Sequence, residues 1–298
     1  MGNENYKGHI AAITSNLIYG LNVSISKSLY SASWMTPVGY SLVRISFGMF
    51  MFWTISLFIP KEKIAPKDWI AILGAGFLGM VLTQLSYTIA LDMTTPVTMS
   101  LLVALSPIVV LLLSALLLKD PLSVKKALGV MTGISGAVII ILQNRSGGIS
   151  SNNSLGILIA LIGVFSQGTY FIVIRNVAKK YSPITMMKWM FLFATVILTP
   201  FTISELPAQR IFTLEVTLLP IIQLSYSLIF SCCLAVFLLP VALRRIKPTT
   251  ASMYGKLQPL TASIVAIIIG QDVFNWAKPL ALFLIIAGVY LVTQPQRS

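Results

Sequence analysis

Pro96–Asp120 reads PVTMSLLVALSPIVVLLLSALLLKD, and Pro248–Asp272 reads PTTASMYGKLQPLTASIVAIIIGQD. Moving one onto the other by 152 positions places Pro96, Thr98, Ser100, Leu105, Pro107 and Asp120 on identical residues, and the match extends upstream to Ala90 and Leu91. Two coincident prolines and a coincident closing aspartate indicate a tandem duplication. Each copy is apolar over a length that crosses about 30 Å of hydrocarbon. The repeat is therefore a membrane repeat and not a turn of a soluble solenoid.

The rest of the chain agrees. Of its 298 residues 56% are hydrophobic and only 10% are charged, where a soluble domain carries about 25% charged residues. Apolar segments predict ten transmembrane helices, at roughly 8–30, 36–59, 68–91, 95–118, 123–142, 155–177, 183–204, 216–243, 249–270 and 275–293. The expected fold class is an all-α membrane protein. The first segment reads as a retained helix, because no small-residue cleavage site follows it. Residues 143–154, QNRSGGISSNNS, read as a flexible linker at the midpoint. The expected organisation is an N-terminal repeat over 1–148 and a C-terminal repeat over 149–298. Gly8 with Gly156 and Gly20 with Gly168 support it at a shift of 148. The tetrapeptide QLSY at 84–87 and 223–226 breaks that register and reads as coincidence.

The net charge is +13. In a soluble chain that would suggest nucleic acid; here it follows from the basic loops. With the N-terminus inside, fourteen basic residues fall in inner loops and ends, including Lys61, Lys63 and Lys67, Lys119, Lys125 and Lys126, and Arg244, Arg245 and Lys247. Only Lys27, Arg145, Arg210 and Lys278 fall outside. This bias predicts a plasma-membrane protein, of the bacterial inner-membrane kind, with both termini cytoplasmic. Five helices per half is an odd number, so the second copy enters from the opposite side and the repeats form an inverted pair.

Several residues are candidates for function. Pro107 and Pro259 are expected to kink their helices and to free the carbonyls of Val103 and Gly255. Lys256 lies inside the ninth helix, on a face shared with Ser252, Pro259 and Ser263. A lysine there costs about 2.5–3.5 kcal/mol unless it meets water or a partner. It is expected to face a central cavity and favour anionic solutes, with snorkelling as the competing reading. Tyr19 and Asn22 on the first helix pair by the repeat with Gln167 and Tyr170 on the sixth. Gln84 and Tyr87 add a polar patch on the third, and Ser100 and Gln258 belong to the two proline helices. These are the expected substrate contacts. Arg44 reads instead as a structural or snorkelling cation, and Lys188 as a snorkelling one.

Other chemistry is missing from the sequence. Asp92, Asp120, Glu205 and Asp272 all lie at helix ends, which disfavours a carboxylate proton relay. His9 is the only histidine, and Cys232 and Cys233 are adjacent inside an apolar segment, so no metal or cofactor is expected. No P-loop, GxSxG or HExxH occurs, so an enzyme is not expected.

With the pattern A-L…P-x-T-x-S…L-x-P…D closing the fourth and ninth helices, the chain resembles the drug/metabolite transporter superfamily, EamA type. Lys119-Asp120 and Gln271-Asp272 stand where that family has an acidic turn. Tyr19-Gly20-Leu21-Asn22 and Gln167-Gly168-Thr169-Tyr170 stand where it often has tryptophan-bearing elements. The resemblance implies an exporter of a small organic solute (an amino acid, a metabolite or a drug-like compound), with its pathway between the two repeats. The alternative is a non-transporting membrane scaffold of the same fold.

Overall fold

A computed structural model describes residues 2–117, 123–146, 152–174, 177, 180–213, 216–243 and 254–293. Among them there is no strand. The helices are α1 (Gly2–Ser31), α2 (Pro37–Ser56), α3 (Pro66–Gly76), α4 (Thr83–Met93), α5 (Pro96–Val103), α6 (Ser106–Leu117) and α7 (Val124–Ser146). They continue as α8 (Asn152–Ile174), α9 (Pro183–Thr202), α10 (Leu218–Tyr226), α11 (Val236–Leu243), α12 (Leu257–Ile268) and α13 (Ala277–Thr293). Residues 147–151, within the expected linker, lie outside the described residues, as do Asp120 and Ser252.

Four helix starts share one local device. Thr36, Ala65, Thr95 and Ser182 each precede a proline at the first helical position. Proline there has its torsion already set and lacks an N–H that would be orphaned anyway. The hydroxyls of Thr36, Thr95 and Ser182 then accept from the N–H groups of Gly39, Thr98 and Thr185. Such caps contribute about 1 kcal/mol each. They fix where these helices begin.

Among the described residues, six helical stretches are long and apolar enough to cross a membrane: Pro37–Ser56, Pro66–Met93, Pro96–Leu116, Asn153–Ile174, Pro183–Glu205 and Leu218–Leu238. Bulky apolar side chains such as Phe50, Ile70, Leu116, Phe201, Ile268 and Phe283 point outward. A surface this apolar suits lipid and would aggregate in water.

Two of the rods are interrupted by π-helical turns. Phe77–Leu82 joins α3 to α4, and Ser227–Ala235 joins α10 to α11. The two begin 150 residues apart, close to the repeat register. A second pair of interruptions falls before the prolines. The regular helical hydrogen-bond ladder is interrupted at 104–105 and again at 255–256, while Ala104 and Lys256 keep right-handed helical torsions. The first rod runs through its interruption as one helical stretch, Pro96–Leu116. Pro107 is the second residue of α6 and Pro259 the third of α12. The reason is local: a proline is tolerated in the first turn of a helix, where no N–H partner is lost. The carbonyls freed upstream are satisfied. Val103 O accepts from Ser106 Oγ at 2.6 Å, and Gly255 O accepts from Gln258 N–H at 3.3 Å.

The most extensive packing joins α7 to α13, followed by α4 with α8 and α2 with α9. α1 packs on α12, on α11 and on the π turn before it, while α8 packs on α6 and α5 on α12. The α7–α13 contact depends on small residues. A Cβ on Gly129 would lie 2.8 Å from the Gly288 carbonyl oxygen, so the two backbones nearly touch. The largest apolar cluster, around Leu29, Tyr40, Leu101, Leu102 and Ile285, binds these rods together.

Candidate functional site

Two polar clusters lie inside the apolar bundle. The first is a wedge between α1, α2 and the π turn at Ser227–Ala235. Arg44, in the middle of α2, donates from Nη2 to Ser231 Oγ at 3.0 Å. Its own carbonyl accepts a contact from Cys232 Sγ at 3.6 Å. Tyr40, one turn earlier on α2, shares a 2.9 Å hydrogen bond with Ser26 Oγ, which also accepts from Asn22 Nδ2 at 3.3 Å. The rings of Tyr30 and Tyr40 meet edge-on with centroids 5.4 Å apart. Tyr19 lies within electrostatic reach of Arg44, Cys232 and Tyr170. Four buried polar atoms on α1 and the π turn, Asn22 Oδ1, Ser24 Oγ, Tyr30 Oη and Ser227 Oγ, have no hydrogen-bond partner.

The second cluster joins α4, α6 and α8. Gln167 Oε1 accepts from Tyr87 Oη at 3.1 Å and from Ser106 Oγ at 2.8 Å. Ser106 has one hydroxyl proton and shares it between Gln167 and the Val103 carbonyl. Glycines seat both tyrosines here: a Cβ on Gly163 would strike the Tyr87 ring at 2.6 Å, and one on Gly79 the Tyr170 ring at 2.8 Å. Gln167→Leu should leave the Tyr87 hydroxyl buried without its acceptor. The expected loss is about 1–3 kcal/mol, read as a fall in the melting temperature of the detergent-solubilised protein. An unchanged melting temperature would mean that water replaces the amide.

Tyr19, Arg44, Tyr87 and Tyr170 are partly buried. Two grooves, of about 450 and 380 Å³, open on the flanks of the bundle. Their walls are apolar: Leu42, Phe47 and Phe50 in one, Val110, Leu111 and Phe171 in the other. They match lipid tails, and neither is bordered by Arg44 or Tyr19.

The expected site residues are distributed as follows. Tyr19 and Asn22 belong to the Arg44 wedge, while Tyr87 and Gln167 form the second cluster beside Tyr170. Gln84 and Gln258 are partly buried, and their side chains make no hydrogen bond among the described residues. Ser100 is buried and bonded to the Val97 carbonyl, inside packing rather than beside space. Lys256 Nζ lies 5.5 Å from the centroid of Tyr290 on α13 and bonds to neither cluster. Lys188 lies over Trp53 and Trp189. Arg44, expected from the sequence as a structural or snorkelling cation, bonds Ser231 in the wedge; Ser227 and Ser231 were not among the expected residues. The available signal was the four-residue spacing of Tyr40 with Arg44 and of Ser227 with Ser231, which puts each pair on one helix face.

Side-chain networks tie segments together at both ends of the bundle. At the end where α2 finishes, Lys180 Nζ meets both Asp68 oxygens, at 2.9 and 3.0 Å. Tyr181 Oη donates to Asp68 at 3.0 Å and accepts from the Ala65 N–H at 2.9 Å. Glu62 receives the Ser182 N–H at 2.9 Å. Its carboxyl, slightly desolvated, is nevertheless held below the usual range by hydrogen bonds from Thr185 and Ser182. At the opposite end, where α2 begins, Gln209 bonds Thr36 and the Glu205 carbonyl. The Ile211 N–H reaches Trp34 O at 3.2 Å, and Arg210 stacks 4.6 Å from the Trp34 ring centroid.

The profile of the EamA-like transporter family matches residues 6–142 and 154–294, and the chain belongs to that family, within the drug/metabolite transporter superfamily. It is 24% identical over 248 residues to an uncharacterized transporter of Archaeoglobus fulgidus, covering 83% of each chain. It is also 24% identical to an uncharacterized transporter of Methanothermobacter thermautotrophicus, covering 96% of this chain and 85% of the relative. A solved structure titled only as a crystal structure of a protein superposes with a TM-score of 0.61 at 18% identity over 95% of both chains, a likeness of fold.

Proposed function

We propose that this transporter exports a small organic solute across the plasma membrane by alternating access between two inverted five-helix repeats, with both termini in the cytoplasm. The observation that carries the reading is the pair of polar clusters inside the bundle, around Arg44 and around Gln167, with a polar network at each end. α1 to α7 form one repeat and α8 to α13 the other. Exchanging the repeats sends the α4–α8 contact onto that of α1 with the rod formed by α10 and α11. It likewise sends α6–α8 onto α1–α12, while α2–α9 and α7–α13 map onto themselves. This symmetry supports an internal two-fold relation, and an odd helix number per repeat places the axis in the membrane plane. The matched π turns and the two segments of the family match support it further.

In this reading the Asp68–Lys180–Tyr181 network closes the cytoplasmic end and the Thr36–Gln209 network the outer end. Tyr19, Tyr87, Gln167 and Tyr170 contact the solute, with Gln84 and Gln258 on the walls and Lys256 at the margin against Tyr290. Coupling does not pass through an intramembrane carboxylate.

The test compares metabolites released by cells that carry and lack the protein, followed by flux of the enriched compound in proteoliposomes. A small set of related solutes should accumulate outside the carrying cells. Identical profiles, with folded protein present in the membrane, would favour a non-transporting scaffold.

A further inference from the structure

Arg44 carries a charge that the protein itself does not neutralise. Ion pairs among the described residues are Asp68–Lys180 and Asp272–Lys278, and neither involves Arg44. A guanidinium stays charged at any physiological pH and presents five N–H donors. The described protein supplies Ser231 Oγ at 3.0 Å, with the Cys232 thiol beside it. The groups acting on Arg44 are the hydroxyl-bearing Tyr19, Tyr30 and Tyr40 and the Cys232 thiol, with no carboxylate among them. A buried charge left in this state is costly, and the cost is removed most fully by an anion bound through two parallel hydrogen bonds.

A second observation points to the same place. Asn22 Oδ1, Tyr30 Oη and Ser227 Oγ are buried without partners. Asn22 and Tyr30 belong to α1 and Ser227 to the π turn that carries Ser231, and Tyr30 lies within electrostatic reach of Arg44. Buried polar atoms left open in one wedge mark a position that another molecule fills. The cluster also lies on a π turn, where irregular helical geometry turns extra polar groups inward.

We infer that Arg44 is the anchor for a carboxylate on the transported solute, with Asn22, Tyr30 and Ser227 contacting its polar atoms. The inference rests on the transport reading and adds the class of substrate: a small organic acid, or a zwitterion whose carboxylate docks at α2. The anionic preference that the sequence places at Lys256 is assigned here to Arg44. Lys256 lies over Tyr290, whereas Arg44 lies in the polar wedge against the π turn.

The test follows thermal unfolding of the full-length protein in detergent with acetate, butyrate, phenylacetate and indole-3-acetate, each paired with its primary amide. At least one acid should raise the melting temperature of the wild type while its amide does not. In Arg44→Gln that shift should vanish, with affinity about 10- to 100-fold weaker, and Arg44→Lys should retain part of it. Equal stabilisation by acid and amide, an undiminished shift in Arg44→Gln, or no shift with any acid would overturn the assignment. If Arg44→Gln does not fold, the wild type decides. The stabilising acid must slow phenylglyoxal modification of Arg44, read by peptide mass spectrometry, more than its amide does, and equal rates overturn the assignment. Flux in proteoliposomes separates the two readings. Acid binding at Arg44 without flux of any solute sinks transport and keeps the site. Acid flux unaffected by Arg44→Gln sinks the site and keeps transport.

Discussion

Gly288→Val is expected to prevent stable folding. A Cβ at this position would lie 2.5 Å from the Gly129 carbonyl oxygen and 2.6 and 2.8 Å from the Gly133 nitrogen and Cα. All three are backbone atoms and cannot rotate away. Relief requires α13 to move off α7, the pair with the most extensive packing in the bundle. In lipid no hydrophobic force opposes that separation, because the tails are as apolar as the helices. What holds the pair is close van der Waals contact, centred on the buried Ala281, Ile285 and Val292. Overpacking a core costs about 1–3 kcal/mol when side chains can adjust; with backbone on both sides the cost should reach or exceed the upper figure. The expected outcome is loss of the monodisperse peak in size-exclusion chromatography, or a large fall in melting temperature. Gly74→Ala is the control, since a Cβ there meets nothing within 4 Å. If Gly288→Val melts with the wild type, the α7–α13 contact is not close in the membrane.

The duplicated proline segment made the fold legible because proline and the apolar run act locally, through torsion and length. The same holds for helix starts at Pro37, Pro96 and Pro183, which the sequence places within a residue or two. Interruptions were less legible. Pro107 and Pro259 read as kinks, and before each the hydrogen-bond ladder is interrupted, with the freed carbonyls of Val103 and Gly255 accepting from Ser106 and Gln258. The π turns at Phe77 and Ser227 have no composition signal, because an inserted residue in a helix is stabilised by tertiary packing. Setting aside the QLSY coincidence was sound: one copy follows its π turn and the other precedes it. Cations were the hardest. Arg44 and Lys256 both lie inside apolar segments, and hydropathy cannot tell them apart. Packing separates them, by giving Lys256 the Tyr290 ring and Arg44 a ring of neutral hydroxyls. Loop residues carried even less signal, and Gln209 was not among the expected functional residues.

Gln209→Ala is expected to open one end of the transporter and leave the other closed. Gln209 is only 2% exposed although it lies in the connection between α9 and α10. Its Oε1 accepts the Thr36 N–H at 2.7 Å, and its Nε2 donates to Thr36 Oγ1 at 3.2 Å and to the Glu205 carbonyl at 2.7 Å. Thr36 is also the cap of α2, accepting from Gly39 N–H at 3.0 Å and donating to Glu205 Oε2 at 2.9 Å. One amide thus clamps the start of α2 to the end of α9. Gly39 makes the fit possible, since a Cβ there would lie 2.6 Å from Gln209 Cδ. Truncation leaves the Thr36 N–H and the Glu205 carbonyl without their partner, at a cost of about 1–3 kcal/mol. Because that cost falls only on states closed at this end, the equilibrium should move toward opening there by about 5- to 150-fold. The Asp68–Lys180–Tyr181 network at the opposite end has no contact with Gln209 and should keep its strength. Hydrogen exchange read by mass spectrometry separates the two ends within one sample. Peptides over 32–42 and 203–213 should exchange faster in Gln209→Ala, and peptides over 60–70 should not change. Faster exchange at both ends would mean general loosening of the fold. No change at either end would mean that the apolar contacts of α2 with α9, and not the amide, hold this end shut.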